Sequence, residues 1–296
     1  MNHFNIVQTL IGKNQLQFFL NCIASLLDKS IENISIHFHS DGSLTSKEED
    51  CILSRFPKTN IFISNPSLSR SSTLDALSGR PYCQKFRKES IWGVEFFDPL
   101  FAYPDEKISF YIDADILFIR PFSGLFNRDK VQNGAVFLKD TQWDSYCFRP
   151  WQLIGRGQKP YVVKGITTGL VFWDKAAIDW DYLEWFLAAC HLHSIPEWIM
   201  PTAQAGLANR CQSKTVCPKQ IRNLYPNAKI SSDTFGLHLL GSYREQWLNK
   251  IQGNDHQNEK AIGVEDTIFK PCQKQGILGY TGKQVKRWVN TRLNIW

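Results

Sequence analysis

The chain has 296 residues, 43% of them apolar, and a formal charge of +6. That length and apolar share exclude a disordered chain and suit one large α/β domain with a substantial core. Lysine and arginine are scattered along the chain, which argues against nucleic acid as a partner and fits a basic cleft for a small anion. Eight cysteines, at 22, 51, 83, 147, 190, 211, 217 and 272, lack C-x-x-C spacing, so reduced thiols are expected instead of zinc ligands or bridges. The first residues lack a charged-then-apolar leader pattern and no run reaches the length of a membrane span, so a cytoplasmic location is expected.

In chain order, residues 4–10 read as a strand, Gly12, Lys13 and Asn14 as a turn, and 15–27 as a helix. Residues 34–39 alternate in strand period and end in the turn Ser40, Asp41, Gly42, Ser43. Thr45 followed by Glu48 has the form of a capping box, which predicts a helix over 46–55. A short strand follows at 60–63. Residues 82–103 carry a helical stripe of Phe86, Ile91, Val94, Phe97 and Leu100, with Trp92 and Phe96 also assigned to the core. This alternation of strands and helices predicts an α/β fold with a mostly parallel central sheet and flanking helices.

The most informative stretch is ISFYIDADILFIRPF, residues 108–122. An apolar strand runs into Asp113 and Asp115, whose spacing on a strand places both carboxylates on one side. Two acids in so apolar a setting need a compensating partner, and a hard divalent cation supplies one. At the carboxyl edge of an α/β sheet, Mg²⁺ or Mn²⁺ held there keeps open positions for phosphate oxygens.

The string YIDADILFIRP resembles the Asp-x-Asp segment of glycosyltransferases with the nucleotide-diphospho-sugar transferase fold, GT-A. That resemblance implies a nucleoside diphosphate sugar as donor, with a UDP-sugar favoured, and Mn²⁺ or Mg²⁺ on the two acids. The stretches IHFHSDGSLT and PYCQKFR are similar to segments of uncharacterised bacterial glycosyltransferases. By this resemblance Thr9 and Asp41 contact the nucleoside, and Arg87 or Lys85 the base or a phosphate. Local alternatives stand beside these roles: Thr9 ends a strand, Asp41 shapes its turn, and Arg87 is a solvated helix residue. His37 and His39 share one side of a strand, which alternation gives without metal ligation.

Residues 134–140 read as another strand, leading into an aromatic loop over 141–161 that includes Trp143, Tyr146, Trp151 and Tyr161. Related transferases bring this strand end to the sugar or acceptor, which makes Asp140 a candidate site residue. The stretch 164–174 resembles a strand whose small residues approach the donor sugar, pointing to Thr168 and Gly169. A helix is expected over 179–193, its terminal His191 and His193 structural. Residues 201–209 resemble the acidic-Gln segment in which the Gln lies beneath the reacting carbon; Gln204 is kept, with Ala203 in place of the acid. In 235–247, His238 and Gly241 match the His-x-x-Gly-x-x-Lys signature of the retaining galactosyltransferase and glycogenin group, with Arg244 at the Lys position. The resemblance makes His238 the third metal ligand and Arg244 a phosphate contact, and an imidazole ligand favours manganese. The tail, 283–296, mixes bases with apolar residues at helical spacing, which fits docking on the domain or contact with an anionic membrane surface.

The expectation is therefore a single domain: a nucleotide and metal half over 1–122, a donor-sugar and acceptor half over 123–260, and a tail over 261–296. Its expected activity is sugar transfer to a carbohydrate, lipid-linked or protein acceptor, with retention implied by the His238 signature and inversion needing Asp140 or Asp144 as base. Two alternatives are a non-catalytic sugar-nucleotide or carbohydrate-binding protein and a haloacid-dehalogenase-type phosphatase. The second is disfavoured by an acid pair at mid-chain followed by Leu117.

Overall fold

A computed structural model describes residues 4–56, 61–142, 146–147, 161–190, 196–252 and 263–293. Strand β1 (Asn5–Ile11) leads through helix α1 (Leu16–Lys29) to β2 (Ile34–Ser40), then α2 (Ser46–Arg55) and β3 (Ile61–Ile63). The expected capping box opens α2, with Thr45 and Glu48 each satisfying the other's backbone. Helices α3 (Pro66–Ala76), α4 (Pro81–Glu89) and α5 (Ile91–Phe101) follow, then strands β4 (Ile108–Ile112) and β5 (Ile116–Phe118). The stripe read as continuous over 82–103 is split at Ser90, whose hydroxyl accepts from the Trp92 amide and starts α5 as a separate helix. Helix α3, which sequence periodicity did not mark, is capped by Asn65 and begins with Pro66.

The central sheet has eight strands among the described residues. Their order is Phe269–Pro271, Gln212–Val216, Gly134–Lys139, Ile166–Asp174, β4, β1, β2, β3. From β4 to β3 it is parallel, as the alternating strands and helices predict. Beyond β4 the sheet is mixed, because Ile166–Asp174 runs antiparallel to β4 and to Gly134–Lys139. Antiparallel neighbours need no helical crossover, so the strand-helix rhythm of the first third does not extend to them. The stretch expected as a tail also enters the sheet, supplying the edge strand Phe269–Pro271.

Alternation along β4 separates two cores. Phe110 and Ile112 face a cluster with Leu16, Leu20, Ile23 and Leu26 of α1, while Tyr111 faces Phe96, Phe97, Leu183 and Phe186. Each fully buried Leu or Phe there contributes roughly 2 kcal/mol. A smaller sheet is the element that positions the site. Gly236–His238 lies between β5, antiparallel, and Ile221–Asn223, parallel, with His238 in register with Ile116 on one side and Asn223 on the other. No helix among the described residues is long and apolar enough to cross a membrane.

Candidate active site

Strand β4 ends at Ile112, and Asp113, Ala114 and Asp115 form a turn into β5. The two acids therefore converge through a turn instead of strand alternation. Its ends are fixed by the Asp113 amide donating to the Gly169 carbonyl at 2.8 Å and the Leu239 amide donating to the Asp115 carbonyl at 3.0 Å. Because His238 is paired with Ile116, its ring arrives beside Asp115. Nε2 lies 3.2 Å from Asp115 Oδ1 and 3.5 Å from Asp113 Oδ2. One ligating atom from each of Asp113, Asp115 and His238 lies within 4.8 Å of the others.

Two neighbours fix the imidazole. Nδ1 is 2.9 Å from Asn223 Oδ1, an acceptor that holds the proton on Nδ1 and leaves Nε2 for the acids or a cation. Gly169 makes the room: a Cβ there would come within 2.4 Å of His238 Cε1. Burial alone would lower the His238 pKa, but Asp115 and Asp113 raise it to about 10. The two acids thus favour the charged form of the ring. Burial raises the Asp113 carboxyl, whereas at Asp115 the pull of His238 and Arg244 outweighs burial and lowers it. Two acids and an imidazole whose ligating atoms converge within 4.8 Å fit a divalent cation of the Mn²⁺ type.

The triad opens on a cleft of ≈ 500 Å³. Of the expected donor contacts, Asp41, Thr168, Gly241 and Arg244 border it. Asp41 packs over Gly12, where a Cβ would meet its Oδ2 at 2.0 Å, and its Oδ1 accepts from the Ser43 amide at 2.8 Å. Arg244 faces the cleft with Nη2 donating to Asp115 Oδ2 at 2.6 Å, and its guanidinium lies 4.8 Å from the Phe18 ring. Nη1 donates to the side chain of Gln15, the N-cap residue of α1. Gly169, expected to approach the donor sugar, makes room for the His238 ring.

Four expected site residues lie elsewhere. Thr9 is fully buried in β1; the cleft is reached one to three residues later, at Leu10, Ile11 and Gly12. Arg87 is buried, with Nε and Nη2 donating to Asp98 at 2.5 and 2.7 Å, so it is neither solvated nor at the cleft. Asp140 accepts the Tyr225 hydroxyl at 2.9 Å and the Gln142 amide at 2.9 Å and is not among the described residues that border the cleft. Gln204 accepts from the Trp173 indole at 2.8 Å and lines a small inner cavity of ≈ 10 Å³. Glu95 and Tyr111 line both that cavity and the cleft. Asp144, Trp143, Trp151, His191 and His193 lie outside the described residues.

Sequence reasoning missed several residues at the cleft, among them Glu95, Glu197 and Trp198; Trp92, assigned to the core, packs against it and also borders the cleft. The available signal was a lone acid in the apolar run Gly93-Val94-Glu95-Phe96-Phe97. Asn223 was also missed, since only the strand register brings it to His238.

No protein-family model and no curated protein sequence matches the chain. Solved structures do. Mouse xyloside xylosyltransferase 1, in its apo form, aligns over 80% of this chain and 97% of its own at TM-score 0.57 and 10% identity. The bifunctional glycosyltransferase WbbM aligns over 86% of this chain and 50% of its own at TM-score 0.50 and 11% identity. The architecture is that of GT-A glycosyltransferases.

Proposed function

We propose that this chain transfers a sugar from a nucleoside diphosphate donor to an acceptor hydroxyl. The observation that carries this is the Asp113, Asp115 and His238 triad at the mouth of a cleft, on a glycosyltransferase fold. Asp113, Asp115 and Nε2 of His238 would hold Mn²⁺ or Mg²⁺. Bound there, the cation supplies positive charge that offsets the charge developing on the departing diphosphate. Asn223 aims the imidazole, Gly169 admits it, and Arg244 neutralises Asp115 and adds a fixed cation at the cleft. A UDP-sugar is the first donor to try. Incubating UDP- and GDP-sugars with Mn²⁺ and simple sugar acceptors tests the reading: turnover abolished by Asp115→Asn supports it, and metal-independent turnover sinks it.

One observation favours the non-catalytic reading: neither Gln204 nor Asp140 borders the cleft. Nucleotide-sugar binding without transfer or hydrolysis would select it. Retention rests on the His238 signature alone, and NMR of the product anomer tests it.

The acceptor class and cytoplasmic setting belong to the same proposal, as does peripheral membrane contact. The helix Ile277–Leu293 docks through buried Tyr280, whose hydroxyl donates to the Tyr146 carbonyl at 3.1 Å. It leaves Leu278 and Val285 exposed beside Lys283 and Lys286, which supports contact with an anionic bilayer. Co-sedimentation with phosphatidylserine vesicles, absent with neutral ones, is the expected result.

A further inference from the structure

Glu95 has no place in the metal site, and stability alone does not explain it. It sits on α5 among Val94, Phe96 and Phe97, is 6% exposed, and borders the cleft. Its carboxyl shares hydrogen bonds with Asp113 and Tyr111, and burial together with the neighbouring acids raises its pKa well above the usual carboxyl range. Oε1 is buried with no hydrogen-bond partner. A buried carboxyl oxygen left without a partner is costly, and an apolar side chain of the same length would remove that penalty.

Glu95 borders the cleft, so a ligand bound there can bring the missing partner. A diphosphate offers oxygens and no donor, whereas a pyranose offers hydroxyl donors. Trp92 and Trp198 border the same cleft, and indole faces suit the apolar faces of a sugar ring. We propose that Glu95 Oε1 accepts a hydrogen bond from a hydroxyl of the donor sugar, making Glu95 a determinant of which sugar is used. This rests on the reading of the cleft as a nucleotide-sugar site.

The test is calorimetric titration of the full chain with Mn²⁺ and either UDP or GDP, then with UDP-galactose, UDP-xylose or GDP-mannose. It is run on the parent chain, Glu95→Ala, Glu95→Met and Glu95→Gln. The readout is the affinity of each nucleotide sugar relative to its own nucleotide. Expected is a fall in that ratio of about 10- to 100-fold in the Ala and Met variants, with the nucleotide itself unchanged within about threefold. Glu95→Gln, which keeps an acceptor oxygen, retains the ratio. An unchanged ratio in Glu95→Ala or Glu95→Met overturns the assignment while leaving the nucleotide site standing. So does an equal loss of nucleotide and nucleotide sugar, which would make Glu95 a support of the metal site. A parent chain that binds neither nucleotide with Mn²⁺ overturns the cleft reading itself, and Glu95 with it.

Discussion

His37 and His39 on β2 and His238 in the small sheet are all nearly sealed from solvent, yet their environments drive them in opposite directions. The β2 pair stacks ring on ring at 4.3 Å, against Tyr103 and with no acid partner among the forces acting on it. Burial lowers the His37 pKa to about 4 and holds His39 well below its usual range. His238 is as deeply buried, but Asp113 and Asp115 raise it to about 10. Burial therefore does not decide the charge of an imidazole; the acids within reach do. Burial holds the pair on β2 toward the neutral form, while the acids hold the single ring beside them toward the charged one.

The largest effect that would break this contrast is at the triad. Asp115→Ala or His238→Ala should lower transfer about 100- to 1,000-fold and abolish tight Mn²⁺ binding by calorimetry. Retained Mn²⁺ affinity in both variants would remove the metal assignment.

Next comes acid stability. The β2 imidazoles stay neutral in the folded chain and take up protons near pH 6.5 once unfolded, so stability falls as pH drops from about 6.5 toward about 4. His37 alone accounts for up to about 3 kcal/mol of that loss. Urea midpoints at pH 7 and pH 4.5 should show it, and His37→Phe should flatten the difference; a variant as acid-sensitive as the parent would refute the role given to His37.

The third effect is at Asn223. Asn223→Ala removes the acceptor that fixes the ring and should weaken Mn²⁺ about 10- to 100-fold, while Asn223→Asp, which keeps an acceptor, weakens it less. Manganese EPR titration reads this directly.

The smallest is Thr9→Val. The Thr9 hydroxyl is buried without a hydrogen bond, so its removal should stabilise the fold by about 1 kcal/mol and leave nucleotide affinity unchanged. A loss of nucleotide binding would return Thr9 to the site.

What the sequence revealed follows from the range of the interactions involved. The strands and helices of the first third, the capping box at Thr45 and the acid pair after β4 are written in neighbouring residues. His238 was legible because a short signature carries it. Arg87 was misread because its partner Asp98 lies across the break at Ser90, in the next helix. Asp140 accepts a hydroxyl from Tyr225, 85 residues away, a pairing that no local pattern announces. Gln204 belongs to a helix in which every residue from Met200 to Ala208 is buried, and its indole partner comes from the central sheet. Glu95 was passed over because an acid in an apolar stripe looks like an interruption until the structure shows what it faces.

Gly169 and His238 come from different sheets, and one fills the volume that the other vacates. Their identities are consequently a single heritable trait. Among descendants of this gene, a lineage that abandons the ring would be released to regain a side chain at 169, and one that keeps the ring would not. Paired substitution at these two positions, read across divergent copies, would be a record of where the need for the imidazole was lost.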